Sequence, residues 1–154
     1  MVNKTVSMFD RLNGLPFSDV IFNTILRFKA PYFSTIKPRI RELREGLCSL
    51  EMKDRRAVHN HIGSIHAIAL CNLCELTMGL AVDATLPSNL RWIAKSMNIN
   101  YQKIAHGKLT SACRLSASQL KKGDVAIPVE INDEKGNRVV SAAITIYVSE
   151  RPAA

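Results

Sequence analysis

The stretch Asn60-His61-Ile62-Gly63-Ser64-Ile65-His66-Ala67, with the apolar run that follows it to Val82, decides the fold of this chain. Between Ile62 and Val82 the only ionisable groups besides two thiols are His66 and Glu75. Burying a carboxylate among apolar side chains is costly unless it is paired or its pKa rises. Glu75 is therefore either a satisfied structural group or an acid or base tuned for chemistry. The run from Ser64 to about Asp83 is too long for a strand and apolar on all sides, which predicts a buried central helix wrapped by a sheet. Its length also suits a membrane span, but Asn72, Glu75, His66 and two glycines argue against one.

Upstream, Pro16-Phe17-Ser18-Asp19 reads as a helix start with Ser18 as N-cap. Phe17, Val20, Ile21, Ile25 and Phe28 form an apolar stripe that Pro31 ends, and an irregular stretch from Tyr32 to Lys37 leads into a basic strand. After Gly46, Cys48, Leu50 and Met52 alternate with Ser49, Glu51 and Lys53, a strand pattern, and a polar loop runs from Asp54 to Gly63. Downstream of Pro87 four strands are expected. Met97, Ile99 and Tyr101 mark one face of the first, and Leu109, Cys113 and Leu115 one face of the second. Val125 to Ile131 form the third and Val140 to Val148 the fourth, separated by the turn Asn132-Asp133-Glu134-Lys135-Gly136-Asn137. The order is α+β: a sheet that curls round one central helix.

At 154 residues and 47% hydrophobic content, a single core of useful size is expected. The net charge of +8 favours anionic partners. No basic–aromatic interleaving or helix-turn-helix pattern points to nucleic acid, so most of the charge is read as a solvated face. The four cysteines, with a polar segment at residues 1–13 in place of a leader, predict free thiols and a cytoplasmic location. Cys71-x-x-Cys74 lies inside the apolar run without a second pair, so packing is the expected role rather than metal or redox chemistry. His59, His61 and His66 could suggest a metal, but a strand-borne site of that spacing needs a further Glu and a distant His, only His106 is available, and no metal or cofactor is expected.

Asn60, Gly63 and His66, with a carboxylate, Glu75, nine residues after the His, carry the spacing of a known motif. Over roughly residues 35 to 149 the chain resembles the hot-dog fold superfamily, and within it the PaaI-like acyl-CoA thioesterases. Its Asn-His-x-Gly-x-x-His-Ala wording is similar to that of an uncharacterised branch. The resemblance implies a curled antiparallel sheet round a long helix, with residues 1–34 an N-terminal helical extension and 35–154 the hot-dog domain. It implies an acyl-CoA substrate and a homodimer or homotetramer. Ala67 and Ile68 stand where the family has Gly-Gly.

Thioester hydrolysis needs an activated water or nucleophile, and donors aimed at the carbonyl oxygen as it gains charge. A helix starting near Ile65–His66 offers unpaired N–H groups and the positive end of its dipole, with the Ala67 N–H the natural oxyanion donor. Glu75 lies nine residues from His66, roughly 14 Å along the same axis, so one thioester cannot touch both. A two-fold dimer resolves this, and the resemblance implies the same: Asn60 and Ala67 from one chain, Glu75 from its partner. Glu75 then serves as general base or nucleophile, Asn60 orients substrate or water, Gly63 permits the tight loop, and His66 positions the helix start. Arg55, Arg56, Lys103, Lys108 and the Lys121–Lys122 pair are candidates to rim a coenzyme A groove. The second reading is a non-catalytic acyl-CoA or acyl-carrier binding protein of the same fold, which the loss of Gly-Gly favours.

Overall fold

The computed structural model describes residues 7 and 17–152; Pro16 and, apart from Ser7, the polar segment at residues 1–13 lie outside them. Helix α1 (Ser18–Lys29) starts after Phe17, whose φ of 66° lies in the left-handed region. The Phe17 carbonyl accepts the Val20 and Ile21 N–H groups, so the first turn closes on residue 17. Ser18 is thus already inside the helix and is not the expected cap. The apolar stripe is also corrected: Phe17, Val20 and Phe28 are exposed, and the residues that α1 buries are Phe22 and Leu26. Pro31, which has no N–H to leave unpaired, opens a one-turn helix α2 (Pro31–Ser34) where an irregular stretch was expected.

The basic strand β1 (Arg39–Arg44) turns at Gly46 into β2 (Leu47–Met52). Gly46 is required there. Its φ is +79°, and a Cβ would meet the Leu115 carbonyl oxygen at 2.7 Å. The β2 alternation holds for Cys48, Leu50 and Met52, but Glu51 is buried too. The strand lies inside the sheet, and Arg41 on β1 covers Glu51 with an ion pair of 2.9 Å.

After the loop comes the long helix α3 (Ala67–Thr85). It is apolar and long enough to cross a membrane by length and composition, yet the sheet wraps it as a core helix. The remaining strands are β3 (Leu90–Tyr101), β4 (Leu109–Arg114), β5 (Gly123–Asn132) and β6 (Arg138–Glu150). All pairings are antiparallel, and the sheet order is β1-β2-β4-β5-β6-β3. This is the curled sheet round a central helix, with an N-terminal helix added, that the sequence predicts.

Helix α3 lies across β1, β2, β4 and β5 and touches β6 less. Leu73, Cys74, Met78 and Val82 on its inner side meet a buried layer that includes Leu50, Leu109, Ile127 and Ile144. Cys48, Cys74 and Cys113 are core residues, and burial pushes the last two thiols up to about 12. They are packing groups. Cys71 is different, being half-buried on the outer side of the helix. The edge strand β3 turns Trp92, Met97, Ile99 and Tyr101 to the helix side, opposite Val148, Ile144, Ala142 and Val140 of β6. It leaves Ile93 exposed on the other face.

Candidate active site at the start of the central helix

The polar loop before α3 is built by its own side chains. Asp54 takes a hydrogen bond from the Gly107 N–H at 2.8 Å and another with His59 Nε2. The His59 bond, followed by that from Gly107, holds the Asp54 carboxyl below the usual range. His59 is therefore engaged in tying the loop to residue 107. A 3-10 turn (Arg56–Val58) follows. Asn60 then organises a tight reversal: its Oδ1 accepts the N–H groups of Ile62 and Ser64, both at 3.1 Å, and its Nδ2 donates to Ser64 Oγ at 2.7 Å. Asn is suited to this because its side chain imitates the backbone in a turn. Gly63, at φ +83°, closes the reversal.

The chain enters α3 at a fixed angle, with the Ile65 N–H on the Ala105 carbonyl and the His66 N–H on the Val58 carbonyl. His66 is the N-cap. Its Nδ1 accepts the Ile68 N–H at 3.0 Å, and its carbonyl accepts those of Ala69 and Leu70. The first helical residue is Ala67, slightly later than the expected start near Ile65–His66, and among the described residues its N–H meets no acceptor. The helix start thus presents one free donor, backed by the positive end of a 19-residue helix.

Glu75 is half-buried rather than enclosed, which corrects the expectation of a helix covered all round. With Cys71, Gly79 and Asp83 it forms a stripe, four residues apart, that looks toward the open end of the sheet beside β3. Among the described residues no hydrogen bond or ion pair engages its carboxylate. Two aromatic residues of β3 flank the stripe. The Trp92 ring lies 3.4 Å from where a Gly79 Cβ would stand, and its Nε1 donates to Asp83 Oδ1 at 2.7 Å. The Tyr101 hydroxyl lies 3.1 Å from Cys71 Sγ and 3.5 Å from the Ala67 carbonyl. Burial, then the Cys71 contact, pushes Tyr101 up to about 12, so it stays a neutral hydroxyl.

Asn60, Gly63, His66 and Ala67 are thus brought together at one end of α3, with Glu75 on its outer stripe two turns away. Tyr101 and Asn72 join this region unannounced by the sequence reading. Tyr101 had a signal, the inward alternation after Met97, which places it on the helix side. Asn72 had only its polarity inside an apolar run. It stands in the wall of a cavity of about 190 Å³ between α2, the 3-10 turn and the first turns of α3. Among the described residues no three His, Cys, Asp or Glu side chains gather closely enough to hold a metal.

Residues 18–148 match the family described as Domain of unknown function (DUF4442). The chain belongs to this family. Comparison of this DUF4442 chain with curated proteins gave no match. Solved structures do resemble it. A structural-genomics crystal structure is 33% identical with a TM-score of 0.84, the match covering 97% of this chain and 99% of that one. A protein of unknown function from Pseudomonas aeruginosa, called a probable thioesterase, is 26% identical with a TM-score of 0.76 over 89% and 97% of the two chains. A hypothetical thioesterase from Streptococcus pneumoniae, crystallised with coenzyme A, is 23% identical with a TM-score of 0.65 over 75% and 91%. The DUF4442 chain shares the hot-dog fold of such thioesterases.

Proposed function

We propose that the protein is an acyl-CoA thioesterase that works as a homodimer, with a second two-fold giving a tetramer as the larger assembly. The observation that carries this is the Ala67 N–H at the start of α3, free among the described residues, in a chain whose Glu75 carboxylate, likewise unpaired among them, lies on the outer stripe of that helix. The two are about 12 Å apart along the axis, so they serve one thioester only when they come from different subunits. Strand β3 is a sheet edge, and the stripe faces its side. Pairing two copies of β3 about a two-fold sets one α3 against the other in opposite directions, Glu75 of each near the helix start of its partner.

In this arrangement the thioester oxygen sits on the Ala67 N–H of one subunit. Glu75 of the other takes a proton from water as the oxygen of that water bonds to the carbonyl carbon. The tetrahedral oxyanion is held by the N–H and the helix dipole. Its collapse breaks the carbon–sulfur bond, and the departing thiolate takes up the proton, leaving a carboxylic acid and free coenzyme A. His66 holds the helix start and Asn60 with Gly63 the loop beneath it. Of the basic candidates for the coenzyme A phosphates, Lys108 and Lys122 pair with Glu134 and Glu150, and Arg55 donates to the Thr35 carbonyl. Exposed Arg56, beside the loop and without an ion pair among the described residues, is the best placed. A cytoplasmic location accords with this substrate and with reduced thiols.

The second reading, a binding protein without turnover, draws on Ile68, which is 52% exposed at the mouth of the site where the family has Gly. Measuring free-thiol release across short, medium, long and aromatic acyl-CoAs separates the two. Thiol release that persists undiminished in Glu75→Gln overturns the assigned base, and tight binding with no release at any chain length favours the second reading.

A further inference from the structure

The cavity at the helix start has walls that the proposed chemistry does not use. His66 and Ile68, the neighbours of Ala67, both line it, as do Val58, Tyr32 and Thr35. An acyl chain whose carbonyl oxygen rests on the Ala67 N–H has this space directly beside it. Its volume of about 190 Å³ exceeds the ~150 Å³ of an engineered cavity that takes up benzene, so a chain of about six carbons fits.

The cavity wall contains one polar group with an unmet requirement. Asn72 is 4% exposed, and its Nδ2 donates to the Tyr32 carbonyl at 3.2 Å and to Thr35 Oγ1 at 3.3 Å. The Thr35 hydroxyl proton is itself spent on the Tyr32 carbonyl at 2.7 Å, so both neighbours are acceptors. This fixes which end of the amide is nitrogen and leaves Oδ1 without a donor among the described residues. A buried amide oxygen left unpaired loses its hydration without compensation. Both bonds holding the amide are at the long end of the range, and the last torsion of an Asn side chain is soft. A small turn of the amide therefore presents Oδ1 to a donor that enters the cavity.

We infer that this cavity receives the acyl group and that Asn72 selects acyl groups bearing a hydroxyl. This rests on the thioesterase reading and specifies its substrate class. Asn72 is five residues beyond Ala67, roughly 7.5 Å along the axis, so the hydroxyl is carried several bonds beyond the carbonyl. The surrounding apolar side chains take the methylenes between, and a plain chain leaves Oδ1 unpaired. Discrimination of this kind arises because a polar site penalises the ligand lacking the donor.

The test compares hexanoyl-CoA with 6-hydroxyhexanoyl-CoA, by kcat/KM and by calorimetric binding of the matching non-hydrolysable thioethers. The hydroxylated member is expected to be favoured about tenfold, the effect of one neutral hydrogen bond. In Asn72→Leu that preference is expected to vanish, the plain and hydroxylated thioethers then binding within about twofold of each other. Should that variant fail to fold, the wild-type pair still decides the matter. Equal or weaker binding of the hydroxylated thioether by the wild type overturns the inference, with a buried water then satisfying Oδ1, as does a preference that survives in Asn72→Leu. Neither result touches thiol release from hexanoyl-CoA. Conversely, a tenfold binding preference without thiol release upholds the selectivity and removes only the hydrolase reading.

Discussion

His66 Nδ1 accepts the Ile68 N–H at 3.0 Å, which occupies the ring nitrogen at the helix start with capping. The ring thereby holds the first turn in register and leaves the Ala67 N–H as the donor that points out of the helix. Replacing His66 with Ala is expected to cost about 1 kcal/mol of stability, the usual effect of losing an N-cap. Asn, which caps well, is expected to restore both the melting temperature and thiol release. A His66→Asn variant that regains stability but stays without thiol release would instead assign the ring to proton transfer.

Two carboxylates on this chain respond oppositely to the same change. Glu75 has no partner among the described residues, so Glu75→Gln is expected to leave the melting temperature within experimental error while kcat/KM falls by roughly 10² to 10⁴. Glu51 is 4% exposed and pairs with Arg41. Glu51→Gln removes that charge-assisted contact inside the sheet, at a cost of about 1–3 kcal/mol, with kcat/KM little changed. Thermal unfolding and thiol-release assays on the two variants check the contrast directly.

The contrast also shows what the sequence could convey. The α3 run was legible because a mostly apolar stretch of nearly twenty residues fits no other element, and the β3 to β6 alternations were legible because a period of two is read directly. The face of α1 was not. Both Phe17–Val20–Phe28 and Phe22–Leu26 are apolar at helical spacing, and only contact with β1 and α2 selects the second set. Glu51 looked like a solvent-facing residue because alternation says nothing of Arg41 on the next strand. Glu75 looked enclosed because no local pattern tells that the sheet, at its β3 end, diverges from the helix. The motif residues 60 to 67 were legible as a local unit. Asn72 and Tyr101 depend on α2 and β3 reaching the helix start, which is tertiary information.

Acid should loosen the loop through Asp54. The bond with His59 and that from Gly107 favour its ionised form, so its folded pKa lies below the ordinary value of 3.8. The carboxylate's contribution to stability is therefore fully present above that ordinary value and is lost as pH falls from it through the lower folded one. Between neutral pH and pH 5 no effect is expected from this group. Below about pH 4 the wild type should lose stability more steeply than Asp54→Asn, which lacks the titration. Chemical denaturation at stepped pH measures this, and parallel acid limbs for the two proteins would remove Asp54 from the account.

Gly46 and Gly63 share a positive φ but differ in their surroundings, and an added methyl separates conformational strain from crowding. At Gly63, with φ +83°, a Cβ meets nothing within 4 Å, so Gly63→Ala carries the left-handed strain alone, about 1–2 kcal/mol. At Gly46, with φ +79°, the Cβ would also meet the Leu115 carbonyl oxygen at 2.7 Å, a backbone atom that cannot swing aside. Gly46→Ala is therefore expected to destabilise by more, about 2–4 kcal/mol, since the hairpin must move away from residue 115. The activities should rank the other way. Gly46 packs against the far end of α3, its N–H bonded to Thr85 Oγ1 at 2.8 Å, and its surviving folded fraction should hydrolyse thioesters normally. Gly63→Ala alters the loop that sets the angle of α3, so its KM should rise even when all of the protein is folded. Equal melting temperatures for the two variants would show that the left-handed backbone, rather than the Leu115 contact, dominates the cost at Gly46.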